Sequence, residues 1–176
     1  MKVRPATISD ANAIAEIHVA TWRDGYRGQI PDAILDALDL SQRADFWRGV
    51  LSTEHSIFVA VHDTTLVGFC SLIASRDGDA APGTVAEIAA LYVLPPRWRR
   101  GVARALCSHA FAASAMAGYS SITLWVLASN RPAIDFYTAV GFVHDGVTKS
   151  ERTDYDFIFE ELRMRAIVPL PNARNA

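Results

Sequence analysis

A cluster of basic residues lies between an apolar segment and a segment with helical character. Residues 93–106 read VLPPRWRRGVARAL, with arginines at 97, 99, 100 and 104. Pro95 and Pro96 end the preceding strand, because proline cannot donate to a strand ladder. The free N–H groups at a helix start, together with the helix dipole, attract anions, and small residues such as Gly101 and Ala103 let phosphates approach the backbone. The stretch is predicted to bind a phosphate-bearing ligand, with a solvated basic corner as the alternative.

The overall composition limits what that ligand can be. The 176 residues carry a net charge of −2 with an isoelectric point near 6.2, so the basic cluster is a local feature of a mildly acidic chain. This balance disfavours a protein that coats nucleic acid and favours a small anionic ligand. The stretch has no Gly-Lys-Ser/Thr ending and lacks the glycine spacing of a dinucleotide fingerprint, which excludes those two phosphate motifs.

The two cysteines indicate neither a metal site nor a disulfide framework. Cys70 and Cys107 lack metal-ligand spacing, and Cys107 is expected to pack inside a helix, without a base at a spacing that would support covalent catalysis. A reducing, cytoplasmic setting is therefore expected. The N-terminal sequence has no signal-peptide pattern, and no window is apolar enough to span a bilayer, so no membrane association is expected.

Strand and helix patterns alternate along the chain. Period-two and apolar runs predict strands at 2–6, 57–61, 66–74, 84–94, 120–127, 142–146 and 154–162. Helical spacing, caps and stop signals predict helices after Ser9 and Asp10 and at 31–40, 41–51, 101–117 and 131–140. The chain is predicted to form one α/β domain over residues 1–166, with a tail at 167–176.

Glu87 is the single charge in the apolar strand before the basic turn. A carboxylate is costly to bury without a partner, so Glu87 is expected either to face a cavity or to pair with a cation. If a carboxylate of this chain acts as a general base, the alternatives to Glu87 are Glu16, Asp24, Glu151 and Asp154.

Three ordered motifs resemble the GNAT superfamily of acyl-CoA-dependent N-acyltransferases. The turn at 99–103 resembles the family's Arg/Gln-x-x-Gly-x-Gly/Ala motif, although Trp98 stands where that motif has Arg or Gln. Residues 130–142 resemble its Asn-x-x-Ala-x-x-Phe/Leu-Tyr-x-x-x-Gly-Phe segment, and Glu87 lies at the position of the general base in several members. The resemblance covers about residues 2–164 and implies the GNAT fold, a mixed, mostly antiparallel sheet with helices on both faces.

The resemblance also implies functional residues. Glu87 would be the base and Tyr137 the acid that protonates the leaving thiolate, with a core aromatic as the alternative for Tyr137. Asn130 would contact the CoA arm while also capping its helix. The cofactor would be held by Leu91, Tyr92, Val93, Arg99, Arg100, Gly101, Val102, Ala103 and Arg104. The acceptor would contact Trp22, Asp24 and Tyr26. For Trp22, packing in the core is the alternative. His18, on the same face of the first helix, is expected to pack in the core.

The implied reaction is the transfer of an acetyl group from acetyl-CoA to an amine in a ternary complex, without a metal. Both small-molecule and protein amines are used as acceptors in this superfamily, and residues 21–31 and 149–156 are expected to select among them. An acyl-CoA-binding regulator on the same fold is the first alternative. A nucleic-acid binder is disfavoured by the net charge, and a homodimer is plausible from the habit of the family.

Overall fold

A computed structural model of the chain describes residues 1–53, 56–152 and 157–169. Its strands are β1 (Lys2–Pro5), β2 (Ser56–His62), β3 (Thr65–Ala74), β4 (Val85–Val93), β5 (Ser121–Leu127), β6 (Val143–Arg152) and β7 (Ile158–Ile167). Its α-helices are α1 (Ala11–Gly25), α2 (Asp32–Asp36), α3 (Leu40–Leu51), α4 (Val102–Met116) and α5 (Arg131–Ala139). Short 3-10 turns at Ile8–Asp10 and Pro95–Arg97 lead into α1 and towards α4.

The strands form one mixed sheet in the order β1-β2-β3-β4-β5-β7-β6. The neighbouring strands pair antiparallel except for β4 and β5, which run parallel. A parallel pair needs a crossover connection, and α4 supplies it between β4 and β5. The predicted mixed, mostly antiparallel sheet is confirmed.

Helices pack against both faces of the sheet. Ile14 and Ile17 of α1 and Trp47 of α3 lie in a cluster with Val59 and Phe69 on one face. On the other face, α4 contributes a second cluster together with the alternate residues of β2 to β5 and β7, including Leu106, Cys107, Cys70, Ile88, Leu124 and Met164. Both cysteines are buried free thiols, so the predicted packing of Cys107 inside a helix is confirmed.

The parallel pairing of β4 with β5 stops halfway along both strands. It runs from Val85 opposite Ser121 to Ile88 opposite Leu124. On the other side of β4, Leu72 pairs with Ile88 and Ser71 with Ala90, so Ala89 is an extra residue and forms a bulge. Because a bulge bends its strand and increases the local twist, β4 turns away from β5 beyond this point. The two strands then diverge and leave a cleft between them.

Several predicted boundaries were wrong for identifiable reasons. The helix predicted over 31–40 ends at Asp36, and α3 starts at Leu40 because the side chain of Asp39 caps it by accepting from Gln42 N at 2.7 Å. The sixth strand continues to Arg152 rather than ending at residue 146. It is an edge strand with polar residues on both faces, so no apolar alternation marks its length.

The predicted start of the tail falls inside the fold. Strand β7 includes Ile167, and Val168 is buried while its N–H donates to Ser120 O at 3.0 Å. The remainder of the predicted tail, from residue 170 onward, lies outside the described residues, as does Asp154.

Gly68 of β3 lies where α4 approaches the sheet most closely. A Cβ at this position would be 2.9 Å from the carbonyl oxygen of Tyr92 and 3.0 Å from Val102 Cγ1. Because backbone must shift to admit it, Gly68→Ala is expected to lower the free energy of unfolding by about 1–3 kcal/mol. Gly49→Ala in α3, where a Cβ meets nothing within 4 Å, is the matched control and should raise stability by about 0.5–1 kcal/mol. Equal urea midpoints for the two variants would contradict this account.

Candidate active site

The divergence of β4 from β5 opens a cleft of about 1220 Å³. The N-terminal turn of α4, the end of α1 and the strands β6 and β7 all contribute to its lining. Almost every residue predicted from the sequence lines this cleft: Trp22, Asp24, Tyr26, Glu87, Leu91, Tyr92, Val93, Arg99, Gly101, Val102, Ala103, Arg104, Asn130 and Tyr137. Arg100 is the exception; it is exposed and lies outside the lining.

The turn before α4 has a left-handed backbone at two positions. Arg99 has a φ of +58° and Gly101, the N-cap of α4, has a φ of +82°. A Cβ on Gly101 would meet nothing within 4 Å, so open space adjoins the helix start. The first N–H groups of a helix have no partner within the helix, and these ones line the cleft together with Arg104. This end of the cleft can therefore accept a phosphate group.

Trp98, which departs from the family motif, connects the turn before α4 to the end of β4 and to α1. Its indole N–H donates to Val93 O at 2.6 Å, and the same carbonyl accepts from Thr21 Oγ1 at 3.0 Å. Its ring also comes close to Gly25 of α1. Trp98 thus ties the end of β4 to the end of α1, where Arg or Gln would have offered a flexible polar side chain.

Tyr137 of α5 is both a core aromatic and a residue of the cleft wall. Its ring packs edge-on to Phe142 at 5.8 Å and lies 5.3 Å from Phe136. Burial raises the pKa of its phenol well above the ordinary value, so the hydroxyl stays protonated at neutral pH. Asn130 caps α5 by accepting from Ala133 N at 3.2 Å, which leaves its predicted contact with the CoA arm as a prediction.

Glu87 lines the cleft and also pairs with a cation, so both arrangements expected from the sequence are present. The carboxylate is 1% exposed and accepts from Arg76 three times. The backbone N–H lies 3.1 Å and Nε 3.3 Å from Oε2, while Nη2 contacts Oε1. This contact is the main reason why the pKa of Arg76 is raised. Both oxygens of Glu87 are thus engaged.

A second group of charged residues lines the same end of the cleft. Lys149 Nζ lies 4.5 Å from the centre of the Trp125 ring, 2.7 Å from Glu151 and 3.1 Å from Glu161. The sequence had indicated the segment containing Lys149 and Glu151, but it gave no signal for Glu161. Glu161 reaches this group only because β7 pairs with β5 and β6 in a particular register.

A buried arginine anchors the loop that carries Arg76. Arg163 of β7 is 3% exposed and contacts Asp77 at 3.2 Å, Asp79 at 2.6 Å and Asp145 at 2.8 Å. The hydrogen bond to Asp79 is the largest cause of the raised pKa of Arg163. The loop between β3 and β4 is thereby fixed to the last two strands. No spacing in the sequence predicted this network.

The aromatic wall beside α1 combines packing with access to the cleft. His18 is 5% exposed, burial lowers its pKa to about 3, and its Nδ1 accepts from Trp47 Nε1 at 3.1 Å, which confirms the expected core packing. Trp22 packs edge-on to Tyr26 at 5.2 Å, and both side chains line the cleft. Of the other carboxylates considered as a base, Glu16 is exposed and lies outside the lining of the cleft.

The described residues offer neither a cluster of metal ligands nor a helix that could span a membrane. They contain no group of three or more His, Cys, Asp or Glu side chains placed to hold a metal ion. Within the same ranges, no helix has both the length and the apolar character needed to cross a membrane.

Comparison with known proteins places the chain in a family. Residues 12–142 match the acetyltransferase (GNAT) family. The uncharacterized N-acetyltransferase YuaI of Bacillus subtilis is 33% identical over 138 residues, which is 78% of this chain and 77% of YuaI. The PaiA N-acetyltransferase of Thermoplasma acidophilum, solved in complex with coenzyme A, superposes with a TM-score of 0.71 at 20% identity, covering 94% of this chain and 98% of that one. The yncA protein of Salmonella typhimurium, solved with acetyl-CoA, gives 0.72 at 19% identity, covering 100% and 98%.

These matches confirm the fold and family that the motifs had indicated. The structural neighbours share the architecture over nearly the whole length of both chains. The family match covers the chain from α1 to just beyond α5, including the turn before α4. The chain therefore belongs to the acetyltransferase (GNAT) family and is an acyltransferase.

Proposed function

We propose that this enzyme transfers an acetyl group from acetyl-CoA to a primary amine by direct attack in a ternary complex. The observation that carries the proposal is the chemistry of the cleft. Its lining combines a helix start suited to phosphates, several carboxylates and a protonated tyrosine. The N-acetyltransferase name of YuaI and the coenzyme A and acetyl-CoA bound to the two structural neighbours support it.

The turn before α4 fits the diphosphate of coenzyme A. The N–H groups of Val102 and Ala103 and the guanidinium groups of Arg99 and Arg104 would hold it, and the open space at Gly101 would admit it. When bound, acetyl-CoA supplies the acetyl group as a thioester.

Two groups of the chain would then act on the reacting carbonyl and sulfur. Beyond the bulge, β4 pairs with β3 but no longer with β5, so the edge formed by Leu91, Tyr92 and Val93 borders the cleft. A backbone N–H on this edge would polarise the carbonyl. The Tyr137 hydroxyl would give its proton to the departing sulfur, and its raised pKa keeps that proton available.

A carboxylate of the cleft would accept a proton from the acceptor ammonium. Glu87 was the residue predicted for this role. Since Arg76 engages both of its oxygens, Glu87 could act only after that pair opened. The homodimer and the cytoplasmic location likewise stay predictions.

The proposed function is tested by acetyl-CoA-dependent thiol release across a panel of polyamines, aminoglycosides, amino acids, peptides with free N-termini and lysine peptides. We expect turnover with at least one class, and mass spectrometry should find the acceptor heavier by one acetyl group. Tight acetyl-CoA binding without turnover on any class would instead support a regulator.

Binding at the turn is tested by Gly101→Val. The added side chain should exclude the phosphates and raise the Kd for acetyl-CoA at least ~10-fold, about 1.4 kcal/mol, by calorimetry. Gly118→Val is the matched control, because Gly118 follows α4 with a φ of +83° and equally open surroundings. Each variant should lose about 1–2 kcal/mol of stability through the left-handed backbone, but only the first should lose affinity. Equal affinity of the two folded variants would remove the turn from the site.

The role of Tyr137 is tested by Tyr137→Phe, which keeps the packed ring and deletes the hydroxyl. If the hydroxyl is the acid, kcat should fall about 10²–10⁴-fold while the Kd for acetyl-CoA stays the same. Tyr119→Phe, outside the lining of the cleft, should leave kcat unchanged. Wild-type turnover by Tyr137→Phe, under conditions where chemistry limits the rate, would leave the tyrosine as a core residue only.

A further inference from the structure

We propose that Glu161 of β7, rather than Glu87, is the carboxylate that takes the proton from the acceptor amine. This inference rests on the proposed function, because it assigns a step of the acetyl transfer. Both side chains line the cleft, and they differ in the hydrogen bonds and ion pairs that they already make.

The hydrogen bonds of the two carboxylates favour Glu161. Three donors of Arg76 engage both oxygens of Glu87, whose side chain is 2% exposed. Glu161 has an ion pair from Lys149 to Oε2 at 3.1 Å, and its side chain is 17% exposed. None of the hydrogen bonds that the structure gives among the described residues has its Oε1 as the acceptor.

The sheet register also separates the two residues. Glu87 pairs with Thr123, within the part of the sheet where β4 and β5 are still hydrogen-bonded. Glu161 pairs with Leu127, three residues beyond the last β4–β5 pair at Leu124. Glu161 therefore lies level with the open part of the cleft, where the two strands have diverged.

Glu161 shares the cleft with two tyrosines that feel its charge. Burial raises the pKa of Tyr26 and Tyr92, and the negative charge of Glu161 contributes a smaller effect in the same direction for both. Tyr26 belongs to the segment that follows α1, and Tyr92 lies on the β4 edge that would polarise the carbonyl. All three side chains line the cleft.

The environment of Glu161 shifts the pKa of its carboxyl in the direction that favours a base. Burial raises the pKa of its carboxyl; Lys149 and, more weakly, Arg76 lower it, while Glu151 raises it. The net direction is upward from the ordinary value. A base is most effective when its pKa approaches the working pH.

In the proposed step, a proton leaves the ammonium nitrogen for Glu161 Oε1, and the freed lone pair forms the C–N bond as the C–S bond breaks. Tyr137 gives its proton to the departing sulfur. The nitrogen then loses its second proton, which passes through solvent to the Tyr137 phenolate and restores the phenol. Glu161 then releases its proton to solvent. Glu87 keeps a positioning role, because it holds Arg76 and the loop that carries it.

The experiment compares Glu161→Gln with the matched Glu87→Gln in pH profiles of kcat/KM. A base must be ionised, so the wild-type rate should fall on the acidic side as Glu161 is protonated. Glu161→Gln should lower kcat/KM about 10²–10⁴-fold and abolish this limb, whereas Glu87→Gln should keep the limb. The same limb with a second acceptor of different pKa shows that it belongs to the enzyme.

Lys149→Met provides a second test, which does not require measuring the low activity of Glu161→Gln. Removing the lysine removes a contact that lowers the pKa of Glu161, so the limb should move to higher pH. NMR titration of the enzyme with ¹³C-labelled glutamate, without any substrate, should show a raised pKa that disappears in Glu161→Gln and rises in Lys149→Met.

An unchanged limb in Glu161→Gln or in Lys149→Met overturns the assignment, and so does loss of the limb in both glutamine variants. Failure of the proposed function would look different. In that case the wild-type enzyme would turn over no amine at all, although the NMR titration would still report the carboxyl of Glu161.

Discussion

The loss of hydrogen bonding between β4 and β5 is the constraint on which the rest of the site depends. The bulge at Ala89 ends the parallel ladder while β4 remains paired with β3. One strand therefore offers an unpaired backbone edge, and the space beside it becomes the cleft. Without this divergence, the start of α4 and the last two strands would flank a closed sheet and share no cavity.

Two groups of charges line the cleft. Arginines and the first helix N–H groups lie at the start of α4, whereas three carboxylates lie beside β6 and β7, where they outnumber their partners Arg76 and Lys149. The protein as a whole is mildly acidic, so this division is local and arises from where the elements end. A donor that carries phosphates and an acceptor that carries an ammonium group would each meet complementary charge, with Tyr137 in the wall between them.

Ion pairs of two buried groups, Arg163 and Glu87, hold the β3–β4 loop in place beside the cleft. Arg163 joins the β3–β4 loop to β6 and β7 through three aspartates, and Arg76 of that loop meets Glu87. Buried charges are tolerated only when they are paired, so removing one partner would leave another unsatisfied. The loop is therefore fixed by the same charges that border the cleft, while the aromatic rings of Trp22 and Tyr26 form the opposite wall.

The sequence by itself determined the features that depend on local chemistry. The proline end of β4, the glycine at the start of α4, the Asn130 cap and the alternating elements are short-range patterns, and they were sufficient to indicate the family and the turn that leads into α4. Only the tertiary structure decided the partner of Glu87 and the position of Glu161. Arg76 meets Glu87 through the register of β3 with β4, and Glu161 meets Lys149 through that of β6 with β7. Strand register brings together residues that are distant along the chain. In a polar edge strand there is no apolar alternation from which the register could be predicted.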